Sequence, residues 1–249
     1  MGIIERKERE KAERKALIMR CTKDLILERG AEAVRMGEIA ERAELSKATL
    51  YIYFPSKDIL FREICIETGV QFIGYFRSLH KPRMPAVDSL KLFWKCYVDF
   101  FGKSDDMIVL FNMKQYLTPD CPFISIDDEE SCFSIASYEL FNIIRSIIKA
   151  GIDEGAFERD VNPTLVTHTI ISLFSLSLET AVKFLKDPQE LDRVFFDELR
   201  NIFQIILRGM AREGIERSHL ALGDVRRTEE FSVRSERKNQ EEENYAGVF

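Results

Sequence analysis

Twenty-four residues, Gly37 to Leu60, constrain this chain more than any other part of it: GEIAERAELSKATLYIYFPSKDIL. Ile39, Ala40 and Ala43 fall at i, i+1 and i+4, so they share one face of a helix about two turns long. The small side chains of Ala40 and Ala43 let a second helix come close, and Leu45 fills the space between the two. Ser46 is placed to cap the next helix, its hydroxyl accepting from a backbone N–H that has no partner within the first turn. The spacing predicts a helix over Lys47–Tyr53 in which Leu50 and Phe54, four residues apart, turn inward. Lys47, Ala48, Thr49, Tyr51 and Tyr53 are left for the outside. Pro55 stops this helix and Ser56 caps a third, with Lys57 in its first turn.

Two exposed tyrosines on so short a helix raise the free energy of an isolated domain unless they meet something. Phenol rings and hydroxyls suit phosphates, sugars and thymine methyl groups. A short capped helix after a turn suits a DNA groove, so the stretch reads as a helix-turn-helix with Lys57 beside the DNA backbone. The alternative is a helical hairpin in an ordinary core, its tyrosines at the surface by accident. Each residue alone fits that alternative, but their order together favours the first reading.

A net charge of −6 argues against an anionic partner only if the charge is evenly spread. Residues 1–66 carry fourteen Lys and Arg against twelve Asp and Glu, a surplus of +2, and the remainder carries −8. Attraction to DNA depends on the local field, so the balance permits a DNA-binding end. Five cysteines, at 21, 65, 96, 121 and 132, are odd in number and form no CxxC, which predicts reduced thiols and a cytoplasmic protein. The N-terminus is a charged run without an apolar core, so no secretory signal is expected. Charges interrupt every apolar stretch before membrane-spanning length. His80, His168 and His219 lack ligand spacing, so neither a metal nor a cofactor is expected. The run Asp127-Asp128-Glu129-Glu130 reads as dipole-complementary charge at a helix start.

The rest of the chain predicts an all-α fold. Residues 1–15 read as a solvated helical arm, and Ile18, Cys21, Thr22, Leu25 and Ile26 form a buried stripe ended by Gly30. Long helices follow over Lys57 to about Leu79, Pro85 to Lys103, and about 127 to 154, with a shorter one ending near Leu117. Asn162-Pro163 and Asp187-Pro188 each supply an N-cap and a first-turn proline, for helices reaching about Leu185 and Met210. The apolar period collapses from about Gly214, so 214–249 is expected to be a charged, disordered tail. The expected organisation is a three-helix DNA-binding domain over 1–56, a larger helical domain over 57–213, and that tail.

Two arrangements are open for the last two helices: the centre of one subunit, or a dimer surface. A helix-turn-helix that reads two half-sites favours the dimer. Its expected residues are Ser172, Ser175, Val194, Phe195, Ile202, Phe203, Ile206 and Met210.

The N-terminal stretch resembles the TetR family of bacterial transcriptional regulators. The likeness lies in Glu38-Ile39-Ala40, Ala43, Leu45-Ser46-Lys47, Thr49-Leu50-Tyr51, Tyr53-Phe54, Ser56-Lys57 and Leu60, and upstream in Ile18, Cys21, Thr22, Leu25, Ile26 and Gly30. It covers roughly residues 10–65, beyond which only the helical layout is comparable. Two positions depart from the pattern: Glu44 stands where the family usually has Gly in the turn, and Arg35 where it usually has a capping Thr.

The resemblance implies a homodimer that binds palindromic double-stranded operator DNA through Arg35, Ser46, Lys47, Ala48, Thr49, Tyr51, Tyr53 and Lys57. It also implies a repressor that leaves its operator when a small effector binds the second domain. An aromatic cavity there would use Phe93, Trp94, Tyr97, Phe111, Tyr116, Phe141 and Phe174, with Asn112, Gln115, His168 and Glu179 as polar contacts, and would take an apolar or aromatic effector. Plain core packing is the alternative for each of these residues. No HExxH, phosphate loop, dinucleotide turn or nucleophile elbow is present, so an enzyme is not expected. The competing class is a helical protein-binding adaptor.

Overall fold

The computed structural model describes residues 2–101, 106, 109–110, 113, 135–184 and 188–222. Eight helices are defined among them: α1 (Ile3–Arg29), α2 (Met36–Arg42), α3 (Lys47–Tyr53), α4 (Lys57–Leu79), α5 (Ala86–Phe101), α6 (Ile135–Asp153), α7 (Pro163–Phe184) and α8 (Pro188–Met210). Asp106, Val109, Leu110 and Met113 are also helical. The shorter helix expected to end near Leu117 otherwise lies outside the described residues, as does the acidic run at 127–130.

Side-chain caps set several of these starts. Ser46 Oγ accepts from Thr49 N–H at 3.1 Å, and Ser56 Oγ from Ile59 N–H at 3.2 Å. Asn162 Oδ1 accepts from Leu165 N–H at 3.1 Å, and Pro163 occupies the first helical position, where its missing N–H removes no bond.

The buried side chains form two clusters. The first joins Ile18, Leu25 and Ile26 of α1 to Ile39 and Ala40 of α2, Leu50 of α3, Phe54, and Leu60, Phe61 and Ile64 of α4. This packing runs past the domain boundary expected at residue 56, because the lower turns of α4 close the N-terminal core. The second cluster joins Phe72 and Phe76 of α4 to α5, α6, α7 and α8. At about 1.5 Å per residue α4 is about 35 Å long, enough to serve both cores. Val109 and Met113, at 1% and 0% exposed, enter the N-terminal cluster from the chain after α5. Nearby, Lys23 of α1 pairs with Asp106 at 2.9 Å. Residues 4–17 of α1 precede its first buried side chain, Ile18, and all but Lys15 and Leu17 are exposed.

The expected tail departs from its sequence pattern at its start. Leu220 and Leu222 are buried. Gln204 of α8 donates to Leu220 C=O at 2.5 Å and accepts from Leu222 N–H at 2.9 Å, and Lys91 donates to His219 C=O at 3.0 Å. Two leucines flanking exposed Ala221 make a period of two, which a search for helical periodicity passes over. Residues 223–249 lie outside the described residues.

Candidate nucleic-acid interface

Two local compromises shape the connection between α2 and α3. Arg35, the residue before α2, has no side-chain cap to offer. Glu38 substitutes from inside the helix: its Oε2 accepts from Arg35 N–H at 3.1 Å while Oε1 holds Arg29 at 3.0 Å. The Arg35 side chain is thereby left exposed. Glu44 takes φ 56°, the left-handed conformation that glycine adopts at no steric cost. The turn holds it there, with Glu44 N–H donating to Glu41 C=O at 3.1 Å and Leu45 N–H to Ala40 C=O at 2.8 Å.

Helix α3 is anchored from beneath by Leu50 and Phe54, both 0% exposed. Its N-terminus is closed by Ser46, whose hydroxyl also lies 2.8 Å from that of Thr49. The outward face consists of Lys47, Ala48, Tyr51 and Ile52. Tyr51 is 47% exposed and Ile52 80%. Tyr53, expected outside, is half-buried against the N-terminal core. Three residues on from Leu50, it lies beside the inward face and its ring leans over the core edge.

Ile52 was absent from the expected face, although two residues on a helix turn the chain by about 200° and so place Ile52 opposite both Leu50 and Phe54. The signal was present in that rotation; the apolar character of isoleucine concealed it.

Several cations of the N-terminal unit already have partners. Arg42 makes a two-pronged bond to Glu28, 2.8 Å on each arm, which holds the Glu28 carboxyl below its usual range. Arg29 pairs with Glu38, Lys15 with Glu63 and Lys23 with Asp106. Lys57, expected beside DNA, turns back. Its ammonium donates to the carbonyls of Ala31, Glu32 and Val34 at 2.9, 3.4 and 3.0 Å and lies 5.4 Å from the centre of the Phe61 ring. The carbonyls after a helix C-terminus attract a cation more strongly at this range than distant phosphates do. Lys57→Met is therefore expected to lower stability by about 1–1.5 kcal/mol, read as a shift in the urea midpoint.

Arg35 and Lys47 have no ion pair among the described residues, and both are exposed. The Lys47 side chain crosses Gly37 in the first turn of α2, where an added Cβ would stand 3.1 Å from its Nζ. This end of the domain therefore offers two cations, a phenol and an apolar residue on one rigid support.

The expected effector residues divide into separate groups. Phe93 and Trp94 are each 2% exposed within packed rings. Phe72 meets Phe93 at 5.5 Å and Tyr97 at 6.1 Å between centroids, and Trp94 stacks on Phe203 of α8 at 5.8 Å. Burial pushes the Tyr97 phenol up. Phe141 and His168 meet each other on α6 and α7 at 4.8 Å. Phe111, Asn112, Gln115 and Tyr116, and the side chains of Phe174 and Glu179, lie outside the described residues. A cavity of about 350 Å³ lies elsewhere, where Arg20, Lys23 and Asp24 of α1 face Glu67 of α4 and Asp106. Burial also raises the Cys65 thiol to about 12 and the Cys96 thiol to about 11, so neither is a thiolate at neutral pH.

The expected dimer residues divide in the same way. Phe203 and Met210 are 3% and 4% exposed inside their own subunit. They belong to the part of α8 that packs on α5 and α7, so there Leu199, Phe203, Leu207 and Met210 are spent within one chain. Ile202 and Ile206 are half-buried, and Ser172 is exposed. The side chains of Ser175, Val194 and Phe195 lie outside the described residues. Among the described residues of these two helices, the exposed large apolar side chains are Leu165 at 61% and Ile205 at 70%.

Residues 18–64 match the family model "Bacterial regulatory proteins, tetR family". No curated protein matches the chain. Among solved structures, FadR from Thermus thermophilus, a TetR family transcriptional repressor in complex with lauroyl-CoA, is 21% identical with a TM-score of 0.58, over 81% of this chain and 98% of that one. The fatty acid degradation regulator FadR from Bacillus halodurans is 16% identical with a TM-score of 0.58, over 86% and 97%. A gamma-butyrolactone receptor (ArpA-like protein) is 16% identical with a TM-score of 0.57, over 85% and 95%. At these identities the likeness is one of fold. Among the described residues no helix is long and apolar enough to cross a membrane. The chain thus carries, in residues 18–64, the N-terminal domain of the tetR family of bacterial regulatory proteins, set on a helical body with the fold of solved TetR regulators.

Proposed function

We propose that the chain is a homodimeric, cytoplasmic repressor that binds a palindromic operator through α3 and leaves it when a small effector occupies the helical body. The outward face of α3 carries this reading: Lys47, Ala48, Tyr51 and Ile52 stand out from a helix anchored on its other side by the buried Leu50 and Phe54. Lys47 and Arg35 supply phosphate contacts, which position the domain, and the remaining face meets base edges. Ser46 and Thr49 act chiefly by closing the helix N-terminus, since their hydroxyls engage each other and the backbone.

Lys47→Ala and Tyr51→Ala are each expected to weaken operator binding by about 5- to 100-fold, the range for loss of one phosphate or base contact. Subunit assembly should be unchanged, because neither residue is near α7 or α8. Fluorescence anisotropy with duplex from the gene's own upstream region measures the first, and sedimentation the second. Salt-independent or absent binding would favour the adaptor class instead.

The apolar outward residues of α7 and α8, Leu165 and Ile205, support a twofold interface on those helices. Pairing there sets the separation of the two reading helices, which must match about 34–36 Å, one DNA turn. An effector has only to favour a different separation, with a coupling of about 1–3 kcal/mol. Helix α4 is the mechanical link, since its lower residues pack in the DNA-binding core and its upper ones in the body. The aromatic residues of the body, packed on each other, suit an apolar or aromatic effector that parts them. The lauroyl-CoA of one structural relative and the butyrolactone of another add acyl and lactone compounds to those worth testing. A thermal-shift screen of such compounds, followed by operator release, tests this part.

A further inference from the structure

We propose that Ile52, with Ala48 beside it, reads the 5-methyl group of a thymine in the major groove, which makes Ile52 a specificity-determining residue of the DNA-binding face. This rests on the reading above that α3 enters DNA.

At 80% exposed, Ile52 is the most exposed large apolar side chain among the described residues. It stands on the same helix as two fully buried anchors, Leu50 and Phe54, and points away from both. A β-branched side chain on a helix keeps essentially one χ1 rotamer, so its terminal methyls are held in place rather than swept through solvent. Ala48 is one turn earlier on the same outward face, and the two make an apolar strip along the helix.

The chemistry of that strip narrows its partner. Isoleucine has neither donor nor acceptor, so it reads no hydrogen-bonding edge of a base. The major groove offers one apolar feature, the thymine C5-methyl. Lys47 and Tyr51 lie alongside on the same face, so a cation and a hydroxyl flank the strip as a polyanionic duplex requires. A protein partner would meet a patch of only two apolar residues next to a cation, a weak hydrophobic site.

The test uses the full chain and an unmodified random-sequence duplex pool. Selected sites are resynthesised with each thymine of a half-site replaced in turn by deoxyuridine, which removes the methyl and leaves the hydrogen-bonding edge. One position per half-site is expected to lose about fourfold in affinity, the worth of one buried methyl. Ile52→Ala is expected to bind the thymine duplex correspondingly less well and to be indifferent to deoxyuridine at that position. Its melting temperature should match the parent, because the side chain is exposed. Enrichment of sites without any methyl-sensitive thymine, or an Ile52→Ala protein that stays as sensitive as the parent, overturns the assignment while the DNA-binding reading stands. A pool from which nothing is enriched overturns both.

Discussion

Phe54→Ala is expected to remove about 3–5 kcal/mol from the stability of the N-terminal unit. The ring is fully buried at the C-terminal end of α3, in a cluster with Leu50, Leu60, Phe61 and Ile64. Its backbone N–H closes α3 on Leu50 C=O at 2.9 Å, and the Lys15 ammonium lies 5.4 Å from its centroid. Truncation opens a cavity where α1, α3 and α4 meet, and none of the three can close it without moving the others. The N-terminal unit should unfold at lower urea than the body, giving two transitions in place of one. DNA binding should be lost with the first transition, because the outward face of α3 has no support of its own. Phe54→Leu, which fills most of the volume, should recover more than half of the loss. A cost below about 1 kcal/mol for the alanine variant would mean that α3 is not held by this ring.

Gly151→Ala is expected to cost about 3 kcal/mol, at the upper end for overpacking by one methyl. The requirement for glycine there is one of space. Gly151 lies in the last turns of α6, and the chain turns at Gly155 (φ 75°) and folds back on that helix. Ala156 and Phe157 N–H both donate to Gly151 C=O, at 2.8 and 3.0 Å, which brings the Phe157 ring directly over residue 151. An added Cβ would run into that ring and stand 3.0 Å from Ala86 Cβ on α5. Neither neighbour gives way easily: Phe157 is 0% exposed and its strand-like segment is pinned by Glu158 N–H to Met210 C=O at 2.9 Å. Phe157→Ala alone should cost about 3–5 kcal/mol through the cavity it leaves. The two substitutions together should cost less than their sum by at least about 1 kcal/mol, because the new methyl then fills vacated space. Strict additivity in urea unfolding would show that the ring and the glycine do not share that space.

Particular residues show how far the chain could be read without coordinates. The starts of α3, α4 and α7 were legible because Ser46, Ser56 and Asn162 act on backbone groups three residues away. The inward turn of Leu50 and Phe54 was legible for the same reason: helical rotation is local and regular. The strained turn at Glu44 could be anticipated from a missing glycine. Lys57 was not legible, since its carbonyl partners at 31, 32 and 34 belong to a loop about 25 positions earlier that folding brings alongside. Phe203 and Met210 were misjudged because an apolar stripe does not say whose surface covers it, and here α5 and α7 of the same chain do. Leu220 and Leu222 were passed over because their anchor, Gln204, is sixteen and eighteen residues back.

By itself the sequence determined where helices begin and stop and which side of each is apolar, because caps and periodicity act within a few residues along the chain. Only the tertiary structure decided which charges remain available on the α3 end, which aromatic rings are already occupied by each other, and which apolar stripes are covered within the chain. Those outcomes depend on groups distant in sequence competing for the same partner, and that competition is settled by distance in the folded molecule.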